Sequence, residues 1–302
     1  MTAVTHRKPE PAQVRSDLAD EAERVELDLQ TATGLEGAFA GHELVIHAAV
    51  MRPQARSARQ LQERVNLEMT TNVVEACIRA GVRRLVHVSS TAAIGISGDP
   101  RSPADERFRF NLEGSGLNYN VSKHRSEELV LQANGRGLET VVANPGFVFG
   151  DNRGRYRGAE VITRILDARL VVCTGGGLSM VHVDDVVDGI LQVGEAGRPA
   201  ERYILSGDNR SFRDIAETVC RVAGVRRVLL SVPDVARDAL GLLTKALKPK
   251  AVPKVFLSRH YAYQHYSSDK ARRELDYRPR SFEEIVADYL ARRRARSAAV
   301  RA

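Results

Sequence analysis

Tyr119 and Lys123, in the run Tyr119-Asn120-Val121-Ser122-Lys123, stand four residues apart, which puts a phenol and an ammonium on one face of a helix. An ammonium beside a phenol favours the phenolate, so such a pair can pass a proton to or from a substrate oxygen. The same spacing recurs at Tyr266 and Lys270, and spacing alone does not choose between the pairs. Context does. The hydroxyls of Ser89 and Ser90 close the apolar run Leu85-Val86-His87-Val88 ahead of Tyr119, and Tyr119 opens a helical stretch. Lys270 instead stands in the charged run Asp269-Lys270-Ala271-Arg272-Arg273-Glu274, which reads as a solvated helix start.

The elements that must position these groups alternate. Leu44-Val45-Ile46 reads as a short strand ending at His47-Ala48-Ala49. From about Ser57 to Ala80, Leu61, Val65, Met69, Val73 and Ala76 recur at helical spacing, and Gly81 stops the helix. Leu85–Val88 is the next strand. A helix follows from about Asn118 to Ala133, and the strand Thr140–Ala143 stops at Asn144-Pro145-Gly146. Strands alternating with long helices predict an α/β fold with a parallel sheet covered on both faces. Ligands of such sheets bind beyond the carboxyl ends of the strands. Those ends carry Asp28, Ala48-Ala49, Ser89-Ser90 and Asn144-Pro145-Gly146. After Gly150 the alternation loosens, and the Gly175-Gly176-Gly177 turn and the Lys248-Pro249-Lys250 stretch suggest a smaller second lobe.

Composition excludes several classes. The chain has 302 residues, 43% of them hydrophobic, enough for a large core and outside the disordered and disulfide-scaffold ranges. Cys77, Cys173 and Cys220 lack metal-ligand spacing and read as reduced, mostly buried cysteines. No apolar run is long enough to span a bilayer, and the polar start Met1–Gln13 has no signal-peptide core, so a cytoplasmic protein is expected. The net charge of +7 is concentrated at the end: Ala291–Ala302 holds five arginines and no acid, leaving 40 basic against 38 acidic residues elsewhere. That tail reads as a solvated helix end, and no nucleic-acid-reading motif accompanies it. His182-Val183-Asp184-Asp185 reads as a helix start, with Asp184 or Asp185 as N-cap packing the second lobe on the first, in preference to a metal site.

Taken together, Asp28-Leu29, His47-Ala48-Ala49, Val65-Asn66-Leu67, Val88-Ser89-Ser90-Thr91, Tyr119–Lys123, Asn144-Pro145-Gly146, His182–Asp185 and Leu275-Asp276-Tyr277-Arg278-Pro279 resemble an extended short-chain dehydrogenase/reductase of the NAD(P)-dependent epimerase/dehydratase type. The resemblance covers essentially the whole chain. It implies a Rossmann-type, doubly wound parallel sheet with a smaller C-terminal substrate lobe. Residues 1–146 plus about 181–215 would bind the dinucleotide, about 147–180 plus 216–290 the substrate, and 291–302 form the basic tail. It further implies a catalytic set of Ser90 (or its neighbour Thr91), Tyr119 and Lys123. Ser90 would hydrogen-bond the substrate oxygen, Tyr119 act as acid/base, and Lys123 assist the phenol and hold the nicotinamide ribose. Asp28 and Leu29 would meet the adenine, and Ala48 and Ala49 would let the dinucleotide approach the backbone. Asn66, Ser89, Asn144, Pro145 and Gly146 would line the cofactor, and Thr91 and Phe147 the substrate. No metal is implied. A small-molecule substrate is expected, with a homodimer as the assembly and neither a nucleic-acid partner nor a membrane span.

The chain departs from that family's pattern at its start. No G-x-x-G-x-x-G turn opens a helix there, and Thr2–Lys8 resembles the second strand of the fold. The preferred expectation is an upstream start, with about 25 to 30 further residues encoding a strand, a Gly-rich turn and a helix. The competing expectation is a non-catalytic scaffold or interaction protein built on a degenerate Rossmann unit. Sugar-nucleotide epimerases often carry Arg-Pro-Gly-Asn after the late strand. Here Asn144-Pro145-Gly146-Phe147, with Tyr203-Ile204-Leu205-Ser206-Gly207, resembles the dihydroflavonol-reductase and hydroxysteroid-dehydrogenase-like branch, which interconverts ketones and alcohols on apolar molecules. A nucleotide-sugar epimerase or dehydratase is the alternative enzyme. Arg7-Lys8, with no acid until Glu10, favours NADP over NAD.

Overall fold

The computed structural model of the chain describes residues 2–6, 23–51, 59–152, 155–232 and 263–299. In chain order these are β1 (Thr2–His6), β2 (Glu23–Leu27), α1 (Leu35–Phe39), β3 (Leu44–His47), α2 (Arg59–Arg79), β4 (Arg84–Val88), α3 (Asn118–Gln132) and β5 (Glu139–Pro145). There follow β6 (Phe147–Asn152), β7 (Arg155–Arg157), α4 (Ala159–Asp167), β8 (Leu170–Cys173), β9 (Gly177–His182), α5 (Val183–Ala196), β10 (Arg202–Leu205) and β11 (Asp208–Ser211). Last come α6 (Phe212–Ala223), β12 (Val228–Ser231), β13 (Tyr263–Gln264), α7 (Asp269–Leu275) and α8 (Phe282–Ala299). Helices α2 and α3 lie within two residues of the limits expected from the sequence. Two compact units emerge: residues 1–93, 112–143 and 192–202 form the first, and 94–111, 144–191 and 203–302 the second. These limits differ from the sequence-based ones in giving 94–111, 144–146, 181–191 and 203–215 to the second unit.

In the first unit, β3, β4 and β5 pair in parallel, with His47 opposite His87 and Val88 opposite Ala143. The sheet order is β10-β5-β4-β3, while β1 and β2 form a separate parallel pair. Among the described residues β3 is therefore an edge strand, and its Ile46 is 40% exposed, unlike the buried strands of a sheet flanked on both sides. Val65, Met69, Val73 and Ala76 of α2 bury a stripe against Leu85 and Val142 of the sheet and Val130 of α3. At about 1.5–3 kcal/mol per fully buried large aliphatic, this stripe outweighs the helix propensity cost of its β-branched valines. Arg84 is buried at the start of β4. It pairs with Glu139 at 2.7 Å and donates to the carbonyls of Gly194 and Gly197.

The second unit is built on the sheet β11-β9-β6-β7, with β13 added to β9. Its core holds Phe149, Ile162, Ile165, Met180, Phe212, Ile215, Phe282 and Ile285. Helix α6 shows why a sequence of this kind starts and stops where it does. Ser211 and Asp214 form a reciprocal capping box, and Gly224 ends the helix in the left-handed conformation.

Two expectations need correction. Neither Asp184 nor Asp185 caps α5: both lie in its first turn, and the Asp184 N–H donates to His182 Nδ1. Asp185, buried, instead accepts from the backbone N–H and the guanidinium of Arg280, both at 2.9 Å. Tyr266 and Lys270 are not a solvated pair either. Tyr266 is buried with its hydroxyl donating to the Gly95 carbonyl at 2.8 Å, and the Lys270 ammonium stands 4.0 Å over the Tyr203 ring. Sequence charge marked the face of α7 but not the apolar step Tyr266 that precedes it.

Candidate active site

Helix α3 supplies three donors to one short stretch of backbone. Lys123 Nζ donates to the carbonyl of Val88 at 3.0 Å, Asn120 Nδ2 to that of Ala92 at 3.0 Å, and His124 Nδ1 meets that of Ala93 at 3.1 Å. Asn120, Lys123 and His124 share one helix face by their spacing. The three carbonyls bracket Ser89-Ser90-Thr91, the segment in which β4 gives way to a single 3-10 turn, Thr91–Ala93. Ser90 Oγ accepts from the N–H of Ala92 at 3.2 Å, and the Ser89 N–H donates to Ala143 on β5 at 2.8 Å. The stretch is thus held from α3 on one side and β5 on the other. Tyr119 and Ser90 are partly exposed, whereas Lys123, Ser89 and Thr91 are buried. This arrangement brings the hydroxyls of Ser90 and Thr91 and the ammonium of Lys123 to the carboxyl end of β4, with Tyr119 one helical turn before Lys123.

A second layer fixes the helix. Asn66 on α2 accepts from the Met51 N–H at 2.8 Å and donates to the Met51 carbonyl and to Ser122 Oγ, at 3.3 and 3.1 Å. Its amide therefore ties the chain after β3 to the turn of α3 that carries Lys123. Below lies a histidine pair. The rings of His47 and His87 are 5.2 Å apart, both buried, and His47 Nε2 reaches Thr70 Oγ1 at 3.4 Å. Burial, aided by the Lys123 ammonium, pushes the His47 imidazole down to about 3. The same two causes, with His47 itself, hold His87 well below the ordinary histidine value.

The remaining candidates are placed as follows. Ala48 is exposed and Ala49 partly so where β3 ends. Asp28 follows β2 and turns the chain, its Oδ1 accepting from the Gln30 N–H at 2.9 Å, while the Leu29 side chain is buried in the first unit's core. In the second unit, Asn144 and Pro145 end β5 and are buried. Gly146 follows, where a Cβ would come within 2.9 Å of the Ser179 carbonyl, so packing alone requires glycine there. Phe147 opens β6 and is 37% exposed, its ring 5.3 Å from Phe149. Arg7 and the Lys248–Pro253 stretch lie outside the described residues. Asn120, His124, His47, His87 and Ser122 were not singled out by sequence. For Asn120 and His124 the signal existed, because both share the face of Lys123.

Comparison with known proteins identifies the family. The family described as NAD dependent epimerase/dehydratase matches residues 1–206. A 4-hydroxy-2-methyl-3-oxo-4-farnesyl-3,4-dihydroquinoline-1-oxide ketoreductase of Stigmatella aurantiaca is 32% identical over 253 residues, 80% of this chain and 75% of that protein. A protein named putative dihydroflavonol 4-reductase, of Synechocystis, is 28% identical over 82% of this chain and 75% of its own length. Among solved structures, gox2253 superposes with a TM-score of 0.78 at 28% identity, covering 95% of this chain and 88% of that one. No helix among the described residues is long and apolar enough to cross a membrane, and no cluster of metal-ligating side chains occurs among them. With a family match across two-thirds of its length, the chain belongs to the NAD dependent epimerase/dehydratase family.

Proposed function

We propose that the protein is an NAD(P)-dependent oxidoreductase that interconverts a ketone and an alcohol on an apolar small molecule. The observation that carries this reading is the clamp of α3 on the backbone around Ser90: three side chains fix the segment that would present a hydroxyl to the reacting oxygen. The described residues fit the nicotinamide half of the cofactor. The small Ala48 and Ala49 leave the end of β3 accessible, and a buried ammonium stands at the end of β4. They include no Gly-rich turn for the pyrophosphate. When bound, NAD(P) supplies or accepts the hydride.

The protein's part is orientation and the proton. Ser90 Oγ hydrogen-bonds the substrate oxygen, Tyr119 Oη gives or takes the proton at that oxygen, and Lys123 keeps positive charge beside the phenol. Holding the reacting groups by backbone clamps rather than by mobile side chains removes orientational freedom before the substrate arrives. Asn66 would act on the cofactor side through its grip on Ser122 and Met51. Phe147, a partly exposed ring where a sugar-binding site would need a polar group, supports an apolar substrate over a nucleotide sugar. The names of the quinoline ketoreductase and the dihydroflavonol reductase point to the same substrate class. The cofactor preference read from Arg7 is NADP, and the protein is read as a cytoplasmic homodimer.

The test is an NAD(P)H-oxidation assay of the full chain against a panel of polycyclic and isoprenoid ketones, with UDP- and dTDP-sugars in parallel. Turnover of apolar ketones that vanishes in Tyr119→Phe supports the reading. Turnover of the sugar nucleotides alone would replace it.

A further inference from the structure

The parallel pair β8–β12 turns an aliphatic face to solvent. Val228 lies opposite Leu170, and Leu230 opposite Val172. Because strand side chains alternate, Val228 and Leu230 share one face while Leu229 between them packs on the core. Val228 is 65% exposed, Leu230 50% and Leu170 41%. These three are a contiguous apolar strip, not scattered surface residues.

The strip is bordered by positive charge. Arg169 and Arg226 are exposed and stand directly before Leu170 and two positions before Val228. Arg227 donates to the Leu166 carbonyl near the end of α4. Arg293, from the basic end of α8, reaches Asp167 on the same helix end at 3.5 Å. Asp167 is the acidic group met there, and Arg293 takes it up. At the neighbouring Ser231, Arg213 donates from an ion pair with Glu217 and adds no net charge.

We infer that this face of the second unit, Leu170, Val228 and Leu230 bordered by the exposed Arg169 and Arg226, is a docking surface for an anionic lipid bilayer. Aliphatic side chains at the centre enter the acyl boundary, and guanidinium groups around them meet lipid phosphates. Charge decides against a second copy of the chain. A two-fold contact through this face would bring the arginine border of one protomer against that of the other. A nucleic acid would use the charge and leave the aliphatic centre buried against nothing it can stack on.

The experiment is vesicle flotation of the full chain with pure phosphatidylcholine and with one-third phosphatidylglycerol, at low and high salt. Binding is expected on the anionic vesicles and should weaken with salt. The pair Val228→Ser/Leu230→Ser should lower it by about tenfold or more, on the scale of two lost aliphatic insertions. Arg169→Glu/Arg226→Glu should cost about fivefold per residue. All four positions are exposed, and an unchanged melting temperature certifies each variant's fold. No binding to anionic vesicles by the wild type overturns the inference. So does binding that the serine pair leaves intact, which would mean non-specific charge attraction. So does a dimer that the serine pair alone dissociates without vesicle binding, which would assign the face to self-association.

Discussion

The Lys123 ammonium is buried and donates to the Val88 carbonyl at 3.0 Å, the last residue of β4 before the candidate serine. A charge taken out of water this way persists only if hydrogen bonds or opposing charge offset its desolvation. Replacing Lys123 with Met keeps the volume of the stem and removes that charge. We expect turnover to fall by at least about 100-fold, the scale of positioned acid–base chemistry, with the melting temperature held within a few degrees. An active Lys123→Met enzyme would remove Lys123 from the mechanism.

The two tyrosine–lysine pairs make opposite predictions. Tyr119→Phe should abolish most turnover at little cost in stability, because Tyr119 is partly exposed. Tyr266→Phe should leave turnover near normal and lower stability by about 1–2 kcal/mol, since the Gly95 carbonyl loses its donor inside the second unit. Parallel kinetics and urea melts decide between them. A damaged rate with intact stability in Tyr266→Phe would reverse the assignment.

Much of this was legible in the sequence, and the failures are instructive. The strand ends and helix α2 followed from apolar spacing, since α2 presents one continuous buried stripe, whereas α3 buries Ser122, Lys123, Ser126 and Glu127 beside Val121 and Val130. Tyr119 and Lys123 were legible because helical spacing and strand context agreed. The roles of Asn120 and His124 were not, because a polar residue on a helix reads as solvated until the carbonyl it meets is known. Tyr266 and Asp185 were misjudged for a related reason. Their partners, Gly95 and Arg280, lie 171 and 95 residues away in sequence, and no local pattern encodes such pairs.

Asn120 and His124 are positioning residues in this reading, and kinetics can separate that role from a merely structural one. Asn120→Ala/His124→Ala removes two of the three grips on the backbone around Ser90. Each lost bond should cost about 1 kcal/mol of stability. Misplacement of the serine should lower kcat by tenfold or more with KM changed far less. A rise in KM at constant kcat would place these residues in ground-state binding instead.

The nucleotide itself gives a direct prediction for the first unit. Thermal-shift titration of the 302-residue chain with NAD and NADP should show saturable stabilisation following mass action, about 2.7 kcal/mol at a hundredfold excess over Kd. Larger stabilisation by NADP at equal concentration would support the preference read from Arg7. A folded chain that shows no shift with either nucleotide would favour the scaffold reading over the enzyme.

The histidine pair predicts how stability depends on pH. His47 is held at about 3 and His87 well below its ordinary value, 6.5 for both, so the folded state keeps two neutral rings where the unfolded chain takes up protons. The sign follows from linkage. Above pH 6.5 neither state is protonated and the contribution is constant; as pH falls below 6.5 toward about 3, the unfolded state gains protons that the folded state refuses, and stability is lost. Below pH 6.5 His47 contributes a slope that approaches about 1.4 kcal/mol per pH unit, and His87 adds to it in the same direction. Neither ring nitrogen of His87 has a hydrogen-bond partner among the described residues, so His87→Leu should fold and should reduce the acid slope. Urea midpoints measured from pH 7.5 down to pH 5 test this. Identical slopes for wild type and His87→Leu would show that the ring is protonated in the folded state, with its charge accommodated beside Lys123.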